Sequence, residues 1–164
     1  FIESQLKTGN SVIRVMPNTP AQIGKGVSAI SPGKNTSSAD LTLAKNLLSA
    51  SGIVVEVSED DQDAVTALSG SGPAYFFSFI EAMVSAGVKL GLTNEIATQL
   101  AIGTISGSAA MLKESGLDAT TLRKNVTSPN GTTAAALSVF TDKDLEKIVF
   151  DAMAAAKKRA QELA

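Results

Sequence analysis

The sequence predicts an α/β segment up to about residue 60, followed by an all-helical region. Two patterns point to this. Short apolar runs broken by proline and glycine fill the front, and apolar positions recur at helical spacing after Ser58. Composition agrees: 164 residues, 44% hydrophobic and 18% charged, suit one compact domain or one domain plus a piece of another.

The elements follow in order. Val12-Ile13-Arg14-Val15-Met16 reads as a strand ended by Pro17, which has no N–H for a ladder. Gly26 to Ser31 alternates weakly and stops at Pro32-Gly33. Ser37 or Ser38 caps a helix reaching about Ala50, with Asp40 in its first turn and Leu41, Ala44, Leu47 and Leu48 as its apolar stripe. Gly52 closes that helix, and Ile53 to Val57 forms the next strand. The acidic run from Ser58 to Asp63 suits a helix N-terminus; no calcium-loop spacing follows it.

Beyond this point the reading is helical. Ala64 to Leu68 begins a helix that Ser69-Gly70-Ser71-Gly72-Pro73 interrupts, with Ser71 or Gly72 as a new cap. Tyr75, Phe76, Phe79, Ile80, Met83, Val84 and Val88 mark one face of the next helix, which ends at Gly91. Thr93 or Asn94 caps a helix over 95–115, with Leu100, Ile105, Ala109 and Leu112 on one face and Gly116 at its end. A short helix over 118–126, a loop at 127–133, a helix over 133–140 and a last helix capped by Asp142 complete the chain. Lys157, Lys158 and Arg159 stand near its C-terminal end. Glycines such as Gly87, Gly103 and Gly107 inside helices predict close helix–helix approach, within a chain or between chains.

Several functions are excluded. Without cysteine there is no disulfide, thiolate zinc site or cysteine nucleophile, and without histidine no Ser-His-Asp triad or imidazole ligand. No metal site is expected. Any enzymology rests on carboxylates, lysines, hydroxyls and water, or on a cofactor. A formal net charge of -2 leaves no basic footprint for nucleic acid. There is no apolar stretch of about 18 residues and no signal peptide, so a cytoplasmic protein without membrane contact is expected. Phe1 to Lys7 looks like the middle of an element, which suggests a piece of a longer protein.

Three motifs carry the chemistry. Gly70-Ser71-Gly72-Pro73-Ala74-Tyr75 is not a dinucleotide fingerprint: a helix precedes it, Tyr stands where Gly or Ala is needed, and no strand follows. It reads as a kink or helix restart, with a site-lining role left open. Met16-Pro17-Asn18-Thr19-Pro20 is a rigid turn at the carboxyl end of a strand, either a ligand-side loop or a plain turn with Asn18 bonded to local backbone. In Thr127 to Thr133, Pro129 stiffens the loop, Asn130 and Gly131 tolerate positive φ, and Thr132 and Thr133 stand at a helix start. That arrangement makes either an anion site or a simple cap; the residues alone favour the cap.

Arg14 to Pro20, Asp63 to Tyr75, and Leu122-Arg123 with Val126 to Thr133 together resemble the pyrroline-5-carboxylate reductase family, in its order and spacing, from about residue 10 to the end. The resemblance implies that residues 1–59 are the end of a dinucleotide-binding Rossmann domain and 60–164 an all-helical dimerisation and substrate domain. It implies an oxidoreductase that reduces 1-pyrroline-5-carboxylate to L-proline with NADPH or NADH, the last step of proline biosynthesis. It further implies a homodimer, with dimers often assembling into decamers. It selects the anion-site reading of the loop: Ser128, Asn130, Gly131, Thr132 and Thr133 hold the substrate carboxylate near a nicotinamide bound by a partner subunit. Thr133 supplies the catalytic hydroxyl, and Met16, Pro17 and Asn18 lie on the cofactor side.

Departures from the family pattern are local. Asn130 replaces a usual glycine, Gly103 a glutamine and Ala119 a proline. The family's Gly-rich nucleotide loop, due about a hundred residues upstream of the Met16 turn, is not in this sequence. The 164-residue chain alone is therefore expected neither to bind NADPH normally nor to turn over. Two other readings remain: an oligomerisation module only, or a related β-hydroxyacid dehydrogenase or imine reductase. The Ser128-to-Thr133 loop speaks against the latter, which usually places a lysine in a central helix.

Overall fold

The computed structural model describes residues 2–6 and 9–163; Phe1, Lys7, Thr8 and Ala164 lie outside it. Of the run from Phe1 to Lys7, Ile2–Gln5 form a short helix, α1, and the two end residues are not described. Three strands follow: β1 Ile13–Met16, β2 Gly26–Pro32 and β3 Gly52–Glu56. They form one sheet in the order β1-β2-β3. β1 runs antiparallel to β2, with Met16 opposite Ala29, and β2 runs parallel to β3, with Gly26 opposite Gly52. The parallel pair is joined by the crossover helix α2, Ser38–Ser49, as α/β chains require. Ser37 and Asp40 close a reciprocal capping box at its start. The Ser37 backbone N–H bound to the Asp40 carboxylate, then the Ser37 hydroxyl, hold that carboxyl below its ordinary range.

β2 is the buried centre, with Ser28, Ala29, Ile30 and Ser31 all out of solvent. Where β2 and β3 begin, Gly52 has φ +141, and an added Cβ would run into the Gly26 backbone, so both strands need glycine there. On α2, Leu41, Ala44 and Leu48 are partly covered; the expected fourth member of the stripe, Leu47, is exposed. A single sheet flank covers less of the helix than the spacing allowed for.

Helices fill the rest. α3 is Gln62–Val65, α4 Gly72–Lys89, α5 Asn94–Glu114, α6 Ala119–Asn125, α7 Thr132–Asp142 and α8 Leu145–Leu163. Thr93 caps α5, its hydroxyl accepting from Ile96 N at 3.3 Å, and Asp118 caps α6, accepting from Thr121 N at 2.8 Å. One expectation needs correction. Asp142 does not cap the last helix: it ends α7, and Asp144, at φ 51, takes that part by accepting from Lys147 N at 3.2 Å. On α5, Leu100, Ala109 and Leu112 are exposed, while Ala97 and Ala101 are buried at 4%. An added Cβ at Gly87 of α4 would stand 3.1 Å from Ala97 Cβ, so these helices approach through small residues and leave the bulky face out.

The chain divides into two compact units, Phe1–Tyr75 with Asp151–Ala164, and Phe76–Phe150. Among the described residues no helix is long and apolar enough to cross a membrane. None of them form a group of three or more Asp or Glu able to hold a metal.

Candidate active site

In the first unit, Pro73 shapes the bend that the sequence marks as an interruption. No cap restarts a helix there: Ser71 has helical angles, φ -82 and ψ -19. Instead α3 runs through a π-type turn, Thr66–Gly70, into α4, with Ser71 N donating to Thr66 O at 2.8 Å. Proline has no N–H for the carbonyl four residues back, here Ser69 O, and its ring crowds that carbonyl; the widened turn accommodates both. Helix precedes Gly70 and helix follows it, so this segment is not a strand-to-helix phosphate loop.

The carbonyls of the widened turn find side-chain partners. Asn18 Nδ2 donates to Ser69 O at 3.3 Å and reaches Ser69 Oγ at 3.4 Å. Tyr75 OH donates to Ala67 O at 3.1 Å. At its other end, Asn18 Oδ1 accepts from Val27 N at 2.9 Å. Asn18 thus does more than turn the chain locally: it ties the end of β1 to the start of β2 and to the π-type turn. Thr19–Ile23 form a 3-10 turn that Asn18 precedes in extended conformation, φ -124 and ψ 165. Met16 and Asn18 are half-buried and Pro17 is exposed. Sequence reading missed Ser69; Pro73 was the available signal, since it denies that carbonyl its helical donor.

In the second unit, the loop after α6 builds a different environment. Thr127 Oγ1 donates to Arg123 O at 2.6 Å, folding the loop start onto the end of α6. Gly131 N then donates to Ser128 O at 3.1 Å, closing a turn over Pro129 and Asn130. Asn130 has φ 59, so the turn carries proline second and a left-handed residue third, the type II pattern. Gly131 precedes α7 in extended conformation, φ -79 and ψ 172, and no side chain caps this helix. An added Cβ at Gly131 would collide with Ser128 Oγ, so the glycine makes room for that hydroxyl beside the helix start. Thr132 is exposed and Thr133 half-buried in the first turn.

Ser128, Asn130, Gly131, Thr132 and Thr133 are therefore brought together around one helix N-terminus. Its backbone N–H groups lack a side-chain cap, and its dipole favours an anion. Met16, Pro17 and Asn18 form a separate cluster in the other unit. For a nicotinamide dinucleotide the fit is to one end only. The Asn18 amide in that turn is held from two sides, while the Gly70 bend lacks the preceding strand of a pyrophosphate cradle.

The family model for pyrroline-5-carboxylate reductase dimerisation matches residues 59–163. A pyrroline-5-carboxylate reductase of Pseudomonas aeruginosa is 45% identical over 164 residues, covering 99% of this chain and 60% of its own length. That of Corynebacterium melassecola is 43% identical over 162 residues, again with 99% and 60% covered. The chain thus spans about 60% of the length of the curated relatives it matches. Among solved structures, a pyrroline-5-carboxylate reductase from Coxiella burnetii superposes with TM-score 0.96 at 38% identity, over 99% of this chain and 61% of that one. The Plasmodium falciparum pyrroline carboxylate reductase, solved with NADP bound, gives TM-score 0.90 at 36% identity, over 98% and 65%. Because the family model covers residues 59–163, well over half of the sequence, the chain belongs to the pyrroline-5-carboxylate reductase dimerisation family.

Proposed function

We propose that this chain is the C-terminal part of an NAD(P)H-dependent reductase that converts 1-pyrroline-5-carboxylate to L-proline in the cytoplasm. In this reading residues 1–59 end a dinucleotide-binding domain, and 60–164 form a dimerisation and substrate domain. The observation that carries it is the helix start at Thr132, uncapped by any side chain and preceded by a turn that leaves room for the Ser128 hydroxyl. The relatives named above, one of them solved with NADP, support the same reading.

The substrate carries a carboxylate and an imine. The N–H groups opening α7 and the Ser128 hydroxyl hold the carboxylate, with the dipole of an eleven-residue helix adding to the attraction. Asn130 and Gly131 set that backbone, Asn130 through its positive φ and Gly131 through its missing side chain. Thr133, one residue into the helix, presents a hydroxyl that hydrogen-bonds the imine nitrogen or relays its proton from water. A threonine hydroxyl is a weak acid, so its contribution is orientation more than acidity. Met16, Pro17 and Asn18 flank the nicotinamide end of the dinucleotide, which when bound supplies hydride.

Thr133→Ala in the full-length reductase is expected to lower kcat/KM about a hundredfold, the scale for losing one positioned donor. Thr133→Ser should restore most of it, and Tm should not move for either. Unchanged kinetics in Thr133→Ala sinks this role. A second reading, a module that only assembles subunits, is favoured by the exposed apolar surface of the helices, where Phe76 is 61% and Phe77 63% exposed. Full-length protein that assembles normally but never reduces the imine would select it.

A further inference from the structure

We infer that Ser69, Gly70 and Pro73 are positioning residues for the Met16–Asn18 turn, so the π-type bend sets the wall against which the nicotinamide ring rests. The inference rests on the reading of that turn as the cofactor side. It goes beyond that reading by assigning a function to the bend, which neither binds phosphate nor restarts a helix.

Four contacts build the coupling. Pro73 withdraws the helical donor from Ser69 O, which frees that carbonyl for Asn18 Nδ2 at 3.3 Å. Val27 N holds the opposite end of the same amide at 2.9 Å, so the plane of Asn18 is fixed from two directions. Gly70 has no side chain where Met16 Cε passes; a Cβ there would stand 2.5 Å from it. Tyr75 OH on Ala67 O, at 3.1 Å, braces the far side of the widened turn.

The bend is itself anchored to the sheet. Thr66 Oγ1 donates to Gln62 O at 2.8 Å, and the fully buried Gln62 donates through Nε2 to Ser31 Oγ of β2 at 2.7 Å. β2 is therefore joined through Gln62 to Thr66 at the start of the widened turn, and Ser69 near the turn's end is joined to Asn18 after β1. Widened turns of this kind persist where the surrounding structure holds them, often beside functional sites.

The test has two arms. In this 164-residue chain, NMR follows the Met16 methyl and the side-chain amide of Asn18. Gly70→Ala should shift the methyl, and Pro73→Ala, which returns a donor to Ser69 O, should expose the Asn18 amide to hydrogen exchange at least about tenfold faster. Should Gly70→Ala prevent folding, Pro73→Ala carries the arm alone through the Asn18 amide, and Ser69→Ala, which removes only the Oγ partner, should leave that amide protected by Ser69 O. In the full-length reductase, the variants of Gly70 and Pro73 that fold should raise KM for NAD(P)H about tenfold while KM for pyrroline carboxylate holds. Unmoved NMR signals overturn the coupling. Moved signals with unchanged dinucleotide KM overturn the positioning role. A full-length wild type without reductase activity sinks the functional reading itself, and it is distinguished from both because the NMR arm stands without turnover.

Discussion

Asn130 shows how much one backbone angle decides. At φ 59 it occupies the left-handed region, where a Cβ crowds the following carbonyl and ordinary residues lose about 1–2 kcal/mol. Asparagine tolerates it because its short polar side chain bonds locally, and glycine has no Cβ to crowd. The turn closed by Gly131 N on Ser128 O depends on that angle, and α7 starts where the turn ends. Asn130→Ala is expected to reduce unfolding free energy by about 1 kcal/mol, and Asn130→Gly to stay within about 0.5 kcal/mol of wild type. Urea titrations of the three proteins check both values. Equal stability for Ala and Gly would show that the loop relaxes out of the left-handed region. This residue was legible in the sequence because Pro129-Asn130-Gly131 names its own turn. Ser69 was not, because its role is set by a proline four residues later and an asparagine 51 residues earlier.

At the scale of elements, several boundaries marked by local chemistry were legible, while the caps expected at Asp142 and at Ser71 or Gly72 were not formed. The Ser37 cap with Asp40 in the first turn, the Thr93 cap and the strand-ending Pro17 all rest on residues within three or four positions of each other. Which side of α5 is covered within the chain depends on what lies beside it, and small residues mark that side where the large apolar ones do not. The contact is made by Ala97, close to Gly87 of α4. Small residues there let two backbones approach, so added volume has nowhere to go. Ala97→Leu is expected to cost about 1–3 kcal/mol through overpacking, whereas Leu100→Ala on the exposed side should change this chain's own packing little. Thermal unfolding of both variants checks the pair. A silent Ala97→Leu would mean that α4 and α5 slide apart without loss.

At the scale of the whole molecule, the helices leave many apolar side chains in water. Leu90 is 85% exposed and Phe150 69%, and exposed apolar side chains recur on α4, α5, α7 and α8. Gly103 and Gly107 have nothing within 4 Å of an added Cβ, although glycine inside a helix costs about 1 kcal/mol relative to alanine. An open groove of about 760 Å³ between α6, α7 and α8 is floored by Leu137, Phe140, Leu145 and Val149. Large exposed apolar areas mark interaction sites in folded proteins. A second copy of the chain would account for all three features at once: it would cover the side chains, bring helices against the bare glycines and fill the groove. Light scattering after size exclusion should therefore return at least twice the monomer mass for this chain. Ile102→Glu supplies the second measurement, because Ile102 is 52% exposed on one copy. In a true monomer that change is worth no more than about 0.5 kcal/mol; at an interface it buries an unpaired charge and should drive the species to half mass with a lowered Tm. A wild type that runs at monomer mass, with Ile102→Glu equally stable, would leave the exposed helical faces without an occupant and overturn the assembly reading.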